Sequence, residues 1–120
     1  MIIDVERDID FIRLKEFLFS FDFGCKDIIN RQIETSLVVK QATEYFIAFR
    51  FYVDTLYDKL PPSFSGLPVV IEVTNGCDYT MCELFVSHGY IVELRLYNIN
   101  ATALNMDNFW KGTPYYEKVV

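Results

Sequence analysis

The sequence predicts an α+β fold: two N-terminal helices packed on one face of an antiparallel sheet of about five strands. Three observations lead there. Apolar residues recur at helical spacing through the first third of the chain, they alternate with a period of two from Leu37 to Tyr97, and Gly, Asn and Pro cut the alternating part into segments of strand length. Helices followed by strands, rather than interleaved with them, gather on one side of a sheet whose strands are joined by hairpins.

In the first helix Ile9, Ile12, Leu14, Phe17, Leu18 and Phe21 stand three and four apart between charged residues, an amphipathic pattern over Glu6 to Phe21. Asp4, Glu6 and Asp8 crowd its start, where the positive end of the helix dipole favours carboxylates, and Gly24 follows where the helix should stop. Ile29 and Ile33 repeat the spacing within Lys26 to Glu34, a shorter helix entered from Cys25 instead of a good capping side chain. The helical region therefore covers residues 6–34.

Leu37 to Ala42 and Tyr45 to Val53 are expected to be strands joined by a tight turn at Thr43-Glu44. Pro61-Pro62 with Ser63, Ser65 and Gly66 marks a loop, because proline fixes its backbone and lacks a donor. Leu67 to Thr74 resumes the alternation, and Asn75-Gly76 ends it with a turn. The hairpin Met81 to Tyr97 has two possible registers. A Ser87-His88-Gly89 loop sets Val86 against Tyr90, Leu84 against Val92 and Cys82 against Leu94, whereas a shorter His88-Gly89 loop would set Leu84 against Glu93. The apolar pattern favours the longer loop, which also sets Glu83 opposite Glu93.

The sheet then spans 37–98, and residues 99–120 form an irregular aromatic tail pinned by Phe109, Trp110, Tyr115 and Tyr116. Nothing divides the chain, so residues 1–120 are expected to be a single domain. Its inward set is Ile47, Phe49, Phe51, Val69, Ile71, Val73, Leu84, Val86, Val92 and Leu94. The opposite face presents Phe46, Arg50, Tyr52, Val70, Glu72, Glu83, Phe85, Ile91, Glu93, Arg95 and Tyr97.

Composition narrows function by exclusion. With 120 residues, 52% hydrophobic and 17% aromatic, the chain can bury roughly two thirds of its unfolded surface, which excludes disorder and any need for a metal or disulfide staple. Eleven Lys and Arg against 17 Asp and Glu leave a net charge of −6, which disfavours direct nucleic-acid binding. The longest uninterrupted apolar runs are only a few residues, as in Phe17-Leu18-Phe19, too short to cross a membrane, and Met1-Ile2-Ile3-Asp4 lacks the basic start of a secretory signal. Cys25, Cys77 and Cys82 form an odd set with no metal-ligand or redox spacing, which favours free thiols in the cytoplasm and no bound metal or cofactor.

Catalysis has little to stand on. The single histidine, His88, sits at a turn tip beside Ser87, and the glycines form no phosphate-binding motif. Glu83 and Glu93 could serve as a general acid and base, yet such pairs are common on solvated sheets. Aromatics, carboxylates and arginines mixed on one sheet face suit a protein interface better. Tyr52, Phe85 and Tyr97 are the candidate anchors there, with Glu72, Glu83, Glu93 and Arg95 as charged neighbours. The bland alternative is that Arg50 and Arg95 merely neutralise the two carboxylates.

Asp4, Glu6, Asp8 and Asp10 form the densest acidic stretch, which either stabilises the helix start or speeds encounter with a basic partner; Asp54, Asp58, Asp78 and Asp107, in or beside loops, would extend it. A separate reading is a small-ligand module with a pocket between sheet and helices lined by Phe17, Phe21, Phe49 and Phe51.

One resemblance bears on this choice. Phe23-Gly24 with Asp27-Ile28 and Gln32-Ile33, then Leu67-Pro68-Val69, then Cys82-Glu83-Leu84-Phe85-Val86, Gly89-Tyr90 and Glu93-Leu94 with Tyr97 resemble a family of small bacterial proteins. Its members share a helical start, a turn of the F-x-G-x-D kind and a late hairpin ending E-L-x-x-Y, matched here over residues 6–98. This chain departs from the pattern at Phe23, where a proline usually precedes the glycine, and at Asn98-Ile99-Asn100, where a charged pair usually follows the last strand. Small acidic α+β proteins of this kind are often encoded beside polymorphic toxins, including contact-dependent growth-inhibition systems, as immunity proteins. The resemblance implies a non-enzymatic protein that neutralises a cognate toxin domain, commonly a basic nuclease, by covering its active or substrate-binding surface.

Overall fold

A computed structural model describes residues 1–54 and 58–118. Ile2–Ile3 form a short strand, β1, and the chain then turns on Asp4, whose carboxylate accepts from the Glu6 amide at 2.9 Å and whose carbonyl accepts from Arg7 and Asp8. That turn delays the first helix, α1, to Ile9–Phe19, later than the expected start at Glu6. Asp8 is its N-cap, accepting from the Phe11 amide at 3.0 Å and so satisfying one of the amides a helix start leaves unpaired. The helix ends at Ser20, ahead of the expected Phe21 and well before Gly24. Helix α2, Lys26–Glu34, has the expected bounds and is entered through Cys25 at φ +65°, with no side-chain cap.

Next come β2 (Leu37–Ala42), β3 (Phe46–Tyr52), β4 (Gly66–Asn75), β5 (Asp78–Ser87) and β6 (Tyr90–Asn98). The chain then makes a third helix, α3 (Met106–Lys111), and a last strand, β7 (Thr113–Lys118). The sheet is antiparallel with order β1-β2-β3-β6-β5-β4-β7. The α+β class therefore holds, with seven strands instead of about five, because both chain ends add an edge strand.

The tail is consequently not irregular. Asn105 caps α3, accepting from the Asn108 amide at 3.1 Å, and β7 runs along β4. Pro114 sits within β7, which is tolerable because an edge strand leaves one side of its backbone unpaired. Phe109 is buried and Trp110 half-buried, as expected of pinning residues, whereas Tyr115 is exposed; the Tyr116 side chain lies outside the described residues.

The β5–β6 hairpin corrects the expected register. Ser87 pairs with Tyr90, so the loop is the two-residue His88-Gly89, with φ of +54° and +88° as a primed hairpin turn requires. A bulge then inserts Val92, so that Val86 faces Ile91 but Phe85 faces Glu93. The shorter loop thereby sets Leu84 opposite Leu94, Glu83 opposite Arg95 and Cys82 opposite Leu96. Two face assignments reverse with it: Ile91 is buried in the core, and Val92 is only half-buried.

The helices cover the inner face. Phe11 of α1 lies edge-on to Phe49 and Phe51 at 5.1 and 6.1 Å between ring centres, each such buried ring contributing about 2 kcal/mol by area. Phe17 contacts Phe21 and, at 5.2 Å, Phe109 of α3. Gln32 of α2, fully buried, accepts from the Ile91 amide and donates to the carbonyls of Asp58 and Gly89, all at 2.9 Å. This fastens the hairpin tip to α2 and to the segment leading into Leu60 and Phe64.

Candidate partner-binding face

Alternation along β3, β5 and β6 sends every second side chain away from the helices. On that outer face, Glu83 and Glu93 are expected to oppose each other, and the structure separates them. Arg95 lies between, its Nε donating to Glu83 at 2.9 Å and its guanidinium 3.6 Å from Glu93, while Arg50 approaches Glu93 from β3 at 3.7 Å. The two-residue loop and the bulge at Val92 are together the physical reason: each advances β6 by one residue, so a cation falls where a like charge would have cost stability.

These contacts set the local protonation. Burial works against the charge on Arg95, but the bond to Glu83 and the nearby Glu93 outweigh it and hold its pKa above the ordinary value. Burial, reinforced by Glu83, raises the Tyr97 phenol above its usual range. Each group thus stays in its ordinary neutral-pH form: arginine charged, tyrosine neutral.

Among the described residues, no helix lies over this face. Tyr52, Tyr79, Phe85 and Tyr115 are exposed on it, as are Leu37 and Ile2 toward the β1 edge. Between the aromatics, Ala48 is the only small residue of β3 on this side, with Gln41 and Arg95 as its cross-strand partners. Its missing bulk leaves a groove of about 460 Å³ walled by Phe46, Glu93 and Tyr97, which continues past Arg50 toward Tyr52. The depression arises from one methyl group surrounded by long side chains on three strands.

Seven expected site residues share this face: Tyr52, Glu72, Glu83, Phe85, Glu93, Arg95 and Tyr97. The acidic set lies elsewhere. Asp8 and Asp10 bind Lys40 at 3.2 and 2.9 Å, joining α1 to an inner-face position of β2, and those bonds outweigh burial to raise the Lys40 pKa. Asp4 and Glu6 are exposed at the turn before α1, and Asp58 pairs with Arg31 of α2 at 3.3 Å. Asp54 is exposed just after β3. Acids of the helical layer and aromatics of the sheet therefore occupy opposite sides of the molecule.

Other chemistry-bearing groups are dispersed. Phe17, Phe21, Phe49 and Phe51, the expected pocket lining, take part in the ring contacts of the core. Ser87 and His88 meet at 2.8 Å on the exposed hairpin tip. Cys25, Cys77 and Cys82 are free, and full burial pushes the Cys82 thiol up to about 12. Among the described residues, no group of three or more His, Cys, Asp or Glu could hold a metal ion, and no helix is long and apolar enough to cross a membrane. Comparison with protein-family models, curated proteins and solved structures returned no match.

Proposed function

We propose that this chain is an immunity protein, which binds a cognate bacterial toxin domain, a nuclease, and occludes its active or substrate-binding surface. The observation that carries this reading is the uncovered outer face, where exposed aromatics surround a charge ladder and a groove. Aromatic and arginine side chains at the centre of a face, with polar neighbours, are the composition that dominates protein-binding energy. The resemblance in turn and hairpin motifs supports the choice of partner class. The net charge of −6 supports a basic partner, because an acidic field accelerates encounter before short-range contacts form. In this proposal the protein acts stoichiometrically in the cytoplasm, without cofactor or catalysis.

The test is to identify the toxin domain that co-purifies with the tagged protein, titrate the protein against the toxin's activity, and measure affinity by calorimetry. Inhibition should be complete at one equivalent. Tyr52→Ser and Phe85→Ser should each weaken binding by about 2 kcal/mol, roughly thirtyfold, with unchanged thermal stability. Unchanged affinity in both variants would exclude the outer face as the interface.

A further inference from the structure

An acidic protein that antagonises a basic partner would be expected to meet it with carboxylates throughout, yet the outer face is built the other way round. The Glu83 and Glu93 side chains are only 8% and 18% exposed, whereas Arg95 and Arg50 are 41% and 58% exposed. The acids lie sunk between strands and the guanidinium groups stand over them. Only the Arg95 Nε contact to Glu83, at 2.9 Å, has hydrogen-bond length; the 3.6 and 3.7 Å approaches to Glu93 do not. A guanidinium carries five N–H donors in a planar fork, so both arginines retain donors for an incoming acceptor.

Their placement is also convergent. Arg95 is the cross-strand partner of Ala48, and Arg50 follows two residues along β3 on the same face, so the two cations flank the groove that Ala48 leaves open. Arg95 is steadied by Glu83 beneath and by the Tyr97 ring, 5.7 Å from its guanidinium carbon. Phe46 and Tyr97 give the groove aromatic walls.

We propose that the Ala48 groove receives a carboxylate side chain, Asp or Glu, presented beside an aromatic residue by the partner protein. Arg50 and Arg95 bind the carboxylate and the groove walls take the ring. This rests on reading the outer face as the partner-binding surface, and it reverses the sign of the central contact: acids on the helical side steer, while the centre accepts an acid. A lysine or arginine from the partner would meet two guanidinium groups that stand further out than Glu93, the carboxylate in the groove wall, while Glu83 lies beneath Arg95. Because Glu83 and Glu93 offset the charge of the two arginines, the attraction comes from the remaining N–H donors at short range and not from net charge, so added negative charge beyond one carboxylate gains nothing.

The probe is N-acetyl-Phe-Asp-amide, titrated into the whole ¹⁵N-labelled protein, with the Asn and Lys analogues as controls. The Ala48 amide and the Arg95 Nε–H should shift saturably with the Asp peptide, and the Asn peptide should bind about tenfold more weakly for loss of the charge-assisted bonds. Arg50→Gln, at an exposed position that leaves the Arg95–Glu83 bond intact, should weaken the Asp peptide about fivefold without altering the rest of the spectrum. No saturable shift with the Asp peptide, equal or tighter binding of the Lys peptide at these signals, or an unaffected Arg50→Gln variant would each overturn the proposal. If Tyr52→Ser and Phe85→Ser weaken toxin binding as expected while the Asp peptide fails, the groove assignment falls and the interface reading stands.

Discussion

On one side of the sheet Phe49, Ile71, Leu84 and Leu96 are sealed beneath helices; on the other, their neighbours in sequence, Arg50, Glu72, Phe85 and Tyr97, meet none. The same strands thus carry two surfaces with different ways of managing charge. Lys40, the cation at an inner position, is neutralised from the helical layer by Asp8 and Asp10, so its ion pairs also dock α1. On the outer face Glu83 and Glu93 are neutralised within the sheet, by Arg95 and Arg50, and no second layer is needed. A face that satisfies its own charges can stay open without penalty, and that leaves its aromatics available to a partner.

The largest expected effect separates the two faces by stability. Phe49→Ala, which empties a ring site in contact with Phe11, should cost about 4 kcal/mol in urea unfolding. Tyr52→Ala, three residues on and exposed, should change stability by less than about 0.5 kcal/mol. Comparable losses in both would mean the outer face is covered in the folded protein.

The charge ladder comes next. Arg95→Ala strands the nearly buried Glu83 carboxylate and should cost about 2 kcal/mol, reduced from the fully buried case because Arg95 is itself partly exposed. Replacing both by methionine should recover most of that loss, since an apolar pair leaves no unpaired charge. A double variant no better than Arg95→Ala would show that the pair contributes more than mutual compensation.

A smaller effect should appear with pH. The Cys82 thiol, ordinarily near 9, is held protonated up to about 12 in the folded protein, so the unfolded chain loses that proton first. Its contribution is fully present below pH 9 and is lost as pH rises toward 12; Lys40, also raised, acts in the same direction above 10.5. Unfolding free energy should therefore fall by about 1 kcal/mol more in the native protein than in Cys82→Ala between pH 8 and 10. Parallel pH profiles would contradict the buried thiol's role.

The contrast between faces was largely legible in the sequence, because period-two alternation depends only on which residues are apolar. Phe49 and Phe51 fell inward and Arg50 and Tyr52 outward on that basis alone. The bulge at Val92 was not legible: Ile91 and Val92 are both apolar and either could face the core, so alternation could not locate the inserted residue. Nor were the edge strands, since β1 has two residues and β7 contains a proline, both below the reach of a periodic pattern. The acidic residues were found as a group, but their partners Lys40 and Arg31 come from distant positions that only the fold brings near. The groove depends on Ala48 being small among neighbours from three strands, which no single segment displays.

The claim that the outer face, and not the helical layer, meets the partner can be tested directly by hydroxyl-radical footprinting of the protein alone and bound to its toxin domain. Tyr52, Tyr79 and Phe85 should become protected on binding, while exposed Ile9 on α1 keeps its reactivity. Protection of Ile9 with Tyr52 and Phe85 unchanged would place the interface on the helices and contradict the account.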